Sequence, residues 1–471
     1  MIFKKSFIFS LCIFSFQILP AETLSNLSLE SALNIMKNNN LELKISKFTE
    51  QMKAEEAKMV SKSKYGKLDL KLQALRSNDA GNIFGFKLKS REANFGDFGF
   101  SDFLAPLGGA IYGASQGQAP SDMNGLLSVK PEDLNYPETR NHFQTTLTYI
   151  APLYTGGKLD QYGKITKALT HMSQLDTEKL LNEKIFQTTK TFYDISLVEQ
   201  YIRNLGSIVV NIDQLENIVS NMKEEGFAKE IDELEVKARR AEAQSMLNQA
   251  TYNKELAYQY LSFLLNQDVK SVQTLDRLAP MPNINSEELS ENNLDIQKAE
   301  LGLKITDMAI ELEKSKFLPT VGAFGEYGSA DNNPFNHFFQ KDFYTLGVQL
   351  EWNLFNGNID KMSLAKAKVE NMKVLNQVAL AKAGIGLQVK KLETNIKSKD
   401  AEIQSLETQY AFAEKVYENY EGRYQEGISS ISDVLIKQSK ELEVLLKLLT
   451  AKNDRNTKVF ELTSILNIGD L

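Results

Sequence analysis

The stretch Tyr344-Thr345-Leu346-Gly347-Val348-Gln349-Leu350-Glu351-Trp352 puts Tyr344, Leu346, Val348, Leu350 and Trp352 on one face of a strand, with Thr345, Gly347, Gln349 and Glu351 on the other. Lys67-Leu68-Asp69-Leu70-Lys71-Leu72-Gln73-Ala74 alternates just as strictly, while Val321 to Tyr327 and Phe143 to Ile150 do so less cleanly. A period of two held over about nine residues marks strands between an apolar medium and water. A sheet over a soluble core gives the same pattern, but the flanking helices use their apolar seams on each other and leave nothing to cover the leucines. Aromatic residues bracket the strands as interfacial belts do: Tyr149, Tyr154, Trp352 and Phe355 on the helix side, and Phe335, Phe338, Phe339 and Phe343 on the loop side. A barrel needs about eight strands. Four strands must therefore find further copies of the chain to pair their edges, and two, three or four copies would do.

Outward from these strands the chain is written twice. Leu153-Tyr154-Thr155-Gly156-Gly157 answers Leu354-Phe355-Asn356-Gly357-Asn358, Glu225-Gly226-Phe227-Ala228 answers Glu426-Gly427-Ile428-Ser429, and Leu265-Asn266 answers Leu466-Asn467. All three pairs keep one offset of 201 residues. The opening pair, Asn39-Asn40-Leu41-Glu42 and Asn292-Asn293-Leu294-Asp295, is offset by 253, so the first repeat holds about fifty extra residues between its strands. We read a first repeat over 22–275, a proline-marked linker over 276–287 and a second repeat over 288–471, with strands at about 67–76, 142–151, 319–328 and 343–353. Residues 77–140 form a long insert, expected on the side away from the helices, either as a long, partly mobile surface loop or as a narrowing of the barrel mouth.

Each repeat orders helix, strand, strand, long helix, tight turn and shorter helix. The helices are expected at 28–65, 158–225 and 229–266, then at 288–317, 359–426 and 430–467. Leu181, Ile185, Thr188, Phe192, Ile195, Val198, Ile202, Leu205, Val209, Ile212, Leu215, Val219 and Met222 step by threes and fours, the seam of a coiled coil. The second long helix repeats this from Ile385 to Tyr424, with Lys399 as the interruption. At ~1.5 Å per residue each long helix reaches roughly 100 Å, and two shorter helices end to end would line it.

The N-terminus carries Lys4 and Lys5 before an apolar run and Leu19-Pro20-Ala21, and is expected to be a signal peptide, residues 1–21. The only cysteine, Cys12, lies within it and lacks the small residue a lipid-attachment motif needs. The formal charge of −7 becomes −9 once Lys4 and Lys5 are gone, which argues against nucleic acid as a partner. His142, His171 and His337 are scattered, there is no phosphate loop, and no catalytic residue, cofactor or metal is expected.

Over the whole mature chain this organisation resembles the TolC family of outer-membrane efflux channels, or outer membrane factors. The words Asn82-Ile83-Phe84-Gly85-Phe86-Lys87-Leu88, Pro152 to Gly157 and Arg423 to Leu435 match stretches of many members. The resemblance implies a mainly α fold with a β-barrel portion: a homotrimer whose twelve-stranded barrel sits in outer-membrane lipid and continues into a periplasmic coiled-coil tunnel. It implies an exit duct, not an enzyme, whose partners are a periplasmic membrane-fusion adaptor and an inner-membrane transporter. By the same resemblance Gly226, Phe227, Ala228, Gly427, Ile428 and Ser429 form the tip that receives the adaptor. Asp433 and Tyr424, with Asp232 in the equivalent first-repeat position, form the gate. Helix N-terminal capping is an equal reading of both aspartates. Ser429 and Ile436 replace an arginine and an aspartate of the family pattern, which puts its ion-pair lock in doubt. A pore-free periplasmic coiled-coil scaffold or adhesin is the competing function, and dedication to type I protein secretion the competing cargo.

Overall fold

The computed structural model describes residues 23–117, 123–275, 277–284, 289, 291–334 and 337–467. The expected signal segment and Phe335 lie outside the described residues. In chain order the elements are α1 (Leu29–Asn39), α2 (Leu41–Lys62), β1 (Lys67–Ser77), α3 (Ala80–Lys89), α4 (Phe100–Ser115), α5 (Met123–Leu127), α6 (Glu132–Asn135) and β2 (Arg140–Tyr154). There follow α7 (Lys158–Glu224), α8 (Glu230–Leu265), α9 (Leu294–Ser315), β3 (Thr320–Asp331), β4 (Asp342–Glu351), α10 (Ile359–Gln425) and α11 (Ile431–Leu466). They fall into two compact units. One takes the chain up to Met52, His171–Leu303 and Val374 onward; the other takes Lys53–Thr170 and Lys304–Lys373.

The first unit is helical, and the threes-and-fours seams are its core. Phe192, Ile195, Leu205, Ile212, Leu215 and Val219 of α7 are fully buried, and Val389, Leu392, Ile396, Ile403 and Leu406 of α10 are buried. Burying each such side chain stabilises the bundle by ~1.5–3 kcal/mol. Lys399 breaks the second seam without loss, because its ammonium reaches Glu402 at 2.9 Å and Asp454 at 3.1 Å.

The opening helices of the two repeats differ from the unbroken spans expected. The first stops at Asn39 and restarts at Leu41. Asn40 leaves helical geometry (φ −56°, ψ 124°), accepts from the Leu43 amide at 3.1 Å and donates to the Leu264 carbonyl at 2.9 Å, at the end of α8. Asn293 does the same in the second repeat, accepting from the Ile296 amide at 3.1 Å and donating to the Ile465 carbonyl at 2.8 Å. One asparagine thus caps a helix start and satisfies a neighbouring helix end. Those ends turn through Asn266 and Asn467, both left-handed, at φ 51° and 53°.

The second unit is a single open antiparallel sheet in the order β1-β2-β3-β4. Its register sets Leu70 opposite Leu147, Leu147 opposite Tyr327, and Tyr327 opposite Tyr344. Insert 77–140 departs from the loop expected of it. α3 to α6 and a 3-10 turn, Phe95–Phe98, run through its described part, with Gly99 left-handed at φ 74° where a Cβ would strike Pro131.

Candidate functional site

Cross-strand partners in an antiparallel sheet share a face, so the register assigns every strand residue to one side. Leu68, Leu70 and Leu72 of β1 share theirs with Tyr149, Leu147 and Thr145 of β2, and with Val321, Ala323, Gly325 and Tyr327 of β3. Tyr344, Leu346, Val348 and Leu350 of β4 complete that side. The face is open: Tyr344 and Leu346 are both 75% exposed, and Leu68, Leu70, Leu72, Val348 and Leu350 are comparably bare. Lys67, Asp69, Lys71 and Gln73 occupy the other side with Thr148, Thr146, Gln144, Glu326, Thr345 and Gln349. Glycines make room there for aromatic rings. A Cβ at Gly347 would lie 2.4 Å from the Phe324 ring, and one at Gly328 would lie 2.8 Å from the Phe343 ring.

At the end of the sheet that joins the helices, the Tyr149 hydroxyl donates to the Tyr65 carbonyl at 2.7 Å and Trp352 Nε1 donates to the Phe317 carbonyl at 3.1 Å. Tyr154 and Phe355 lie exposed at the same end. At the opposite end Phe338 packs edge-on to Tyr327 and Phe339. An aromatic ring body with a polar handle suits the boundary between an apolar slab and water.

In the helical unit two tight turns close the α7–α8 and α10–α11 pairs. Gly226 (φ 83°) and Gly427 (φ 72°) take the left-handed conformation that ends a helix. The Phe227 amide returns to the Met222 carbonyl at 2.7 Å, and the Ile428 amide to that of Arg423 at 2.8 Å. Phe227 is thereby held out at 77% exposure, and Ile428, Ile231, Leu234 and Ile436 are also exposed. Ala228 is tucked in by a bond to the Met222 carbonyl at 3.2 Å, and Ser429 Oγ donates to the Tyr420 carbonyl at 3.1 Å.

Asp433 and Asp232 both face backbone amides. Asp433 accepts from Ser430 Oγ at 2.6 Å and from the Ser430 amide at 3.3 Å, while its own amide donates to Ser430 Oγ at 3.2 Å. Those bonds, with Lys437 and Arg423 nearby, hold its carboxyl below the usual range. Asp232 accepts from the Lys229 amide at 2.8 Å. Asp433 and Ser430 close a reciprocal cap at a helix start, whereas Asp232 caps one way, because the Lys229 side chain has no acceptor to return the bond. Among the described residues neither aspartate makes an ion pair within 4 Å. Tyr424 is buried in the core of the bundle, where burial and the nearby Asp232 push its phenol up. The two repeats touch at Ser432 Oγ, which donates to Glu235 Oε2 at 2.8 Å.

Sequence reasoning missed one cluster here. Glu441 of α11 is 9% exposed and faces Glu414, Glu418 and Glu421 of α10. Burial first, then these carboxylates, push its carboxyl up to about 7. Beside it Gln438 is fully buried, with Oε1 unpartnered and Nε2 3.5 Å from the Tyr417 hydroxyl. Nothing in a helix rich in Glu and Lys marks one glutamate as buried; only the facing helix does.

Among the described residues no helix is long and apolar enough to cross a membrane. No curated protein matches the sequence. Residues 285–467 match the family model for outer membrane efflux proteins. Among solved structures, the Campylobacter jejuni CmeC outer membrane channel aligns at 15% identity with a TM-score of 0.75, over 95% of this chain and 89% of that one. A Pseudomonas aeruginosa membrane protein aligns at 13% identity and 0.74, over 93% of each. CusC, described as forming a transmembrane channel, aligns at 14% and 0.73, over 93% of this chain and 91% of that one. The second repeat is thus similar to the outer membrane efflux proteins, and the chain as a whole has the fold of these outer-membrane channels.

Proposed function

We propose that this chain is the outer-membrane channel subunit of a tripartite export system. In this reading it is a passive duct through which cargo leaves after delivery by an inner-membrane transporter and a periplasmic adaptor. The observation that carries the reading is the sheet: one face bare and apolar across all four strands, the other mostly polar but for Leu75, Ile150, Phe324 and Phe343, with β1 and β4 left as open edges. An apolar face of that extent is stable against lipid and unstable against water. Pairing β1 of one copy with β4 of the next removes the edges, and three copies give the twelve strands of the family's barrel. Exposed Ile45, Phe48 and Met52 on α2, and Tyr252, Leu256 and Phe263 on α8, give the helical unit apolar faces for the same neighbours.

The two turns supply the adaptor site. Phe227 and Ile428 project from rigid, glycine-terminated helix ends and offer apolar anchors to a helical hairpin. Asp433 and Asp232 lie one turn further on, and ionised Asp433 repeated by threefold symmetry would form an anionic ring attractive to cations. The test is to purify the protein from membranes and reconstitute it. A detergent-solubilised trimer that conducts in planar bilayers is expected. A protein that fractionates without detergent, and forms no channel, would favour a periplasmic scaffold and reject this reading.

A further inference from the structure

The insert between β1 and β2 does not hang free of the sheet. It folds back over the sheet's polar face at the strand ends farthest from the helices. Phe86 of α3 stacks on His142, with ring centroids 4.0 Å apart and planes 6° from parallel. His142 is opposite Leu75, and Arg140 opposite Ser77, so both lie on the side of Gln73, Lys71 and Asp69, away from Leu68, Leu70 and Leu72. Lys89 Nζ donates to Gln144 Oε1 at 3.4 Å on that same side. His142 is 1% exposed, and Ala330, the partner of Gln144 on β3, is also buried.

An ion-pair clamp fastens the contact. Glu92, just past α3, takes Arg140 at the start of β2 with one carboxylate oxygen and Lys341 at the start of β4 with the other. Lys341 also reaches Asp331 at the end of β3, at 2.8 Å. Arg140 donates to Ser90 Oγ at 2.8 Å, and Arg91 to the Asp342 carbonyl. Arg140 and Lys341 hold the Glu92 carboxyl below its ordinary range against the opposing effect of burial. Three strands are thus tied to one short segment of the insert, and the rest of it is held to that segment by Phe84 packed edge-on to Phe98 at 5.1 Å.

We infer that the insert is a plug in the outer mouth of the barrel, a constriction separate from the helical tip. The inference rests on the channel reading above. If the leucine face meets lipid, the polar face meets the lumen, and α3 lies inside it. Twelve strands ~4.8 Å apart and tilted by ~40° enclose a backbone circle ~24 Å across. Three helices each ~10 Å across, in mutual contact, need a circle of ~22 Å. Three copies of α3 therefore fill the mouth, and cargo must displace them. Displacement breaks the Glu92 clamp, so the clamp sets how readily the exit opens and how large a cargo passes.

The chain beyond the expected signal segment has no cysteine, which permits a direct test. Thr148→Cys reports from the polar face deeper than α3, and Leu70→Cys from the leucine face. Intact cells are treated from outside with a bulky, membrane-impermeant polyethylene-glycol maleimide. Thr148→Cys is expected to label slowly in the otherwise unaltered protein. Labelling should quicken about tenfold when residues 79–139 are replaced by a short turn, and several-fold with Glu92→Gln, which keeps the insert and weakens only the clamp. Leu70→Cys should stay unlabelled throughout. If Thr148→Cys labels at one rate in all three backgrounds while Leu70→Cys stays silent, the plug is refuted and the barrel stands. If Leu70→Cys labels as fast as Thr148→Cys, the barrel reading fails and the plug with it.

Discussion

Glu441→Gln should remove a pH-sensitive weakness from the bundle near its tip. The Glu441 carboxyl is nearly enclosed and faces Glu414, Glu418 and Glu421, and these raise it from 4.5 to about 7. On the facing helix burial also pushes Glu421 up, and Tyr410 is pushed up by burial and by Glu441 and Glu414. Among the described residues no cation offsets this rise at Glu441. Between pH 4.5 and about 7 the folded bundle holds a proton that the unfolded segment has released. Folding stability must therefore fall as pH rises through that window. The loss is complete above about 7 and absent below 4.5. A rise of this size corresponds to at most about 3 kcal/mol, or about two orders of magnitude in an opening equilibrium.

The assay is amide hydrogen exchange across 410–445 in the detergent-solubilised protein, because local opening is read there without unfolding the whole assembly. After correction for intrinsic exchange, protection of the α10–α11 pair should drop up to about a hundredfold from pH 5 to pH 8 in the wild type. In Glu441→Gln it should be nearly flat. A wild type whose protection does not fall, or a glutamine variant that falls in parallel with it, would show that Glu441 is not the proton carrier.

Other expectations follow from the same geometry. Leu346→Lys, on the bare face of β4, should lower barrel stability by ~2–4 kcal/mol and block membrane assembly, whereas Gln349→Lys on the opposite face should assemble normally, as judged by detergent-extractable trimer. Gly347→Ala drives a Cβ to 2.4 Å from the Phe324 ring and should lower the trimer's melting temperature, with a penalty of ~1–3 kcal/mol that Phe324→Leu relieves. Asn40→Ala and Asn293→Ala each lose a cap and a bond to a helix end, and each should loosen its helix junction by ~1–2 kcal/mol in hydrogen exchange. Gly427→Asp meets no steric obstacle but must adopt a φ of 72°, so the trimer should persist while export of a pump substrate from cells is lost.

The elements were legible because their signals are local. A threes-and-fours seam needs only one helix to be seen, and the constant offset of 201 residues carries each feature of one repeat onto the other. What escaped reading depends on partners far along the chain. The break at Asn40 is invisible in a continuous helical pattern, since its stabilising acceptor is the Leu264 carbonyl, 224 residues away. Insert helix α3 carries two glycines in ten residues and has poor intrinsic propensity. It is held by the stacked Phe86 and by Glu92, whose partner Lys341 is 249 residues distant. The tip turns announce themselves through glycine, but nothing local tells whether an aspartate six residues later serves the backbone or a pore.

The comparison between repeats separates those two roles. Both turns build one backbone: a left-handed glycine, a return bond to the helix just left, and an aspartate capping the next helix. Where a feature recurs in both copies with its hydrogen bonds intact, as in the Asn40 and Asn293 pair, folding alone accounts for it. The side chains that differ between copies have no such explanation. Phe227 stands where the second repeat has Ile428, Lys229 occupies without a side-chain bond the cap position that Ser430 fills with its hydroxyl, and Glu235 meets Ser432 across the two. A duplicated scaffold that diverges on the exposed rim of its turns presents two unlike surfaces in alternation once copies assemble. A helical hairpin from an adaptor would then dock in two inequivalent ways, and Phe227→Ala and Ile428→Ala should weaken adaptor binding by different amounts. Equal losses would show instead that the divergence at the rim is neutral drift.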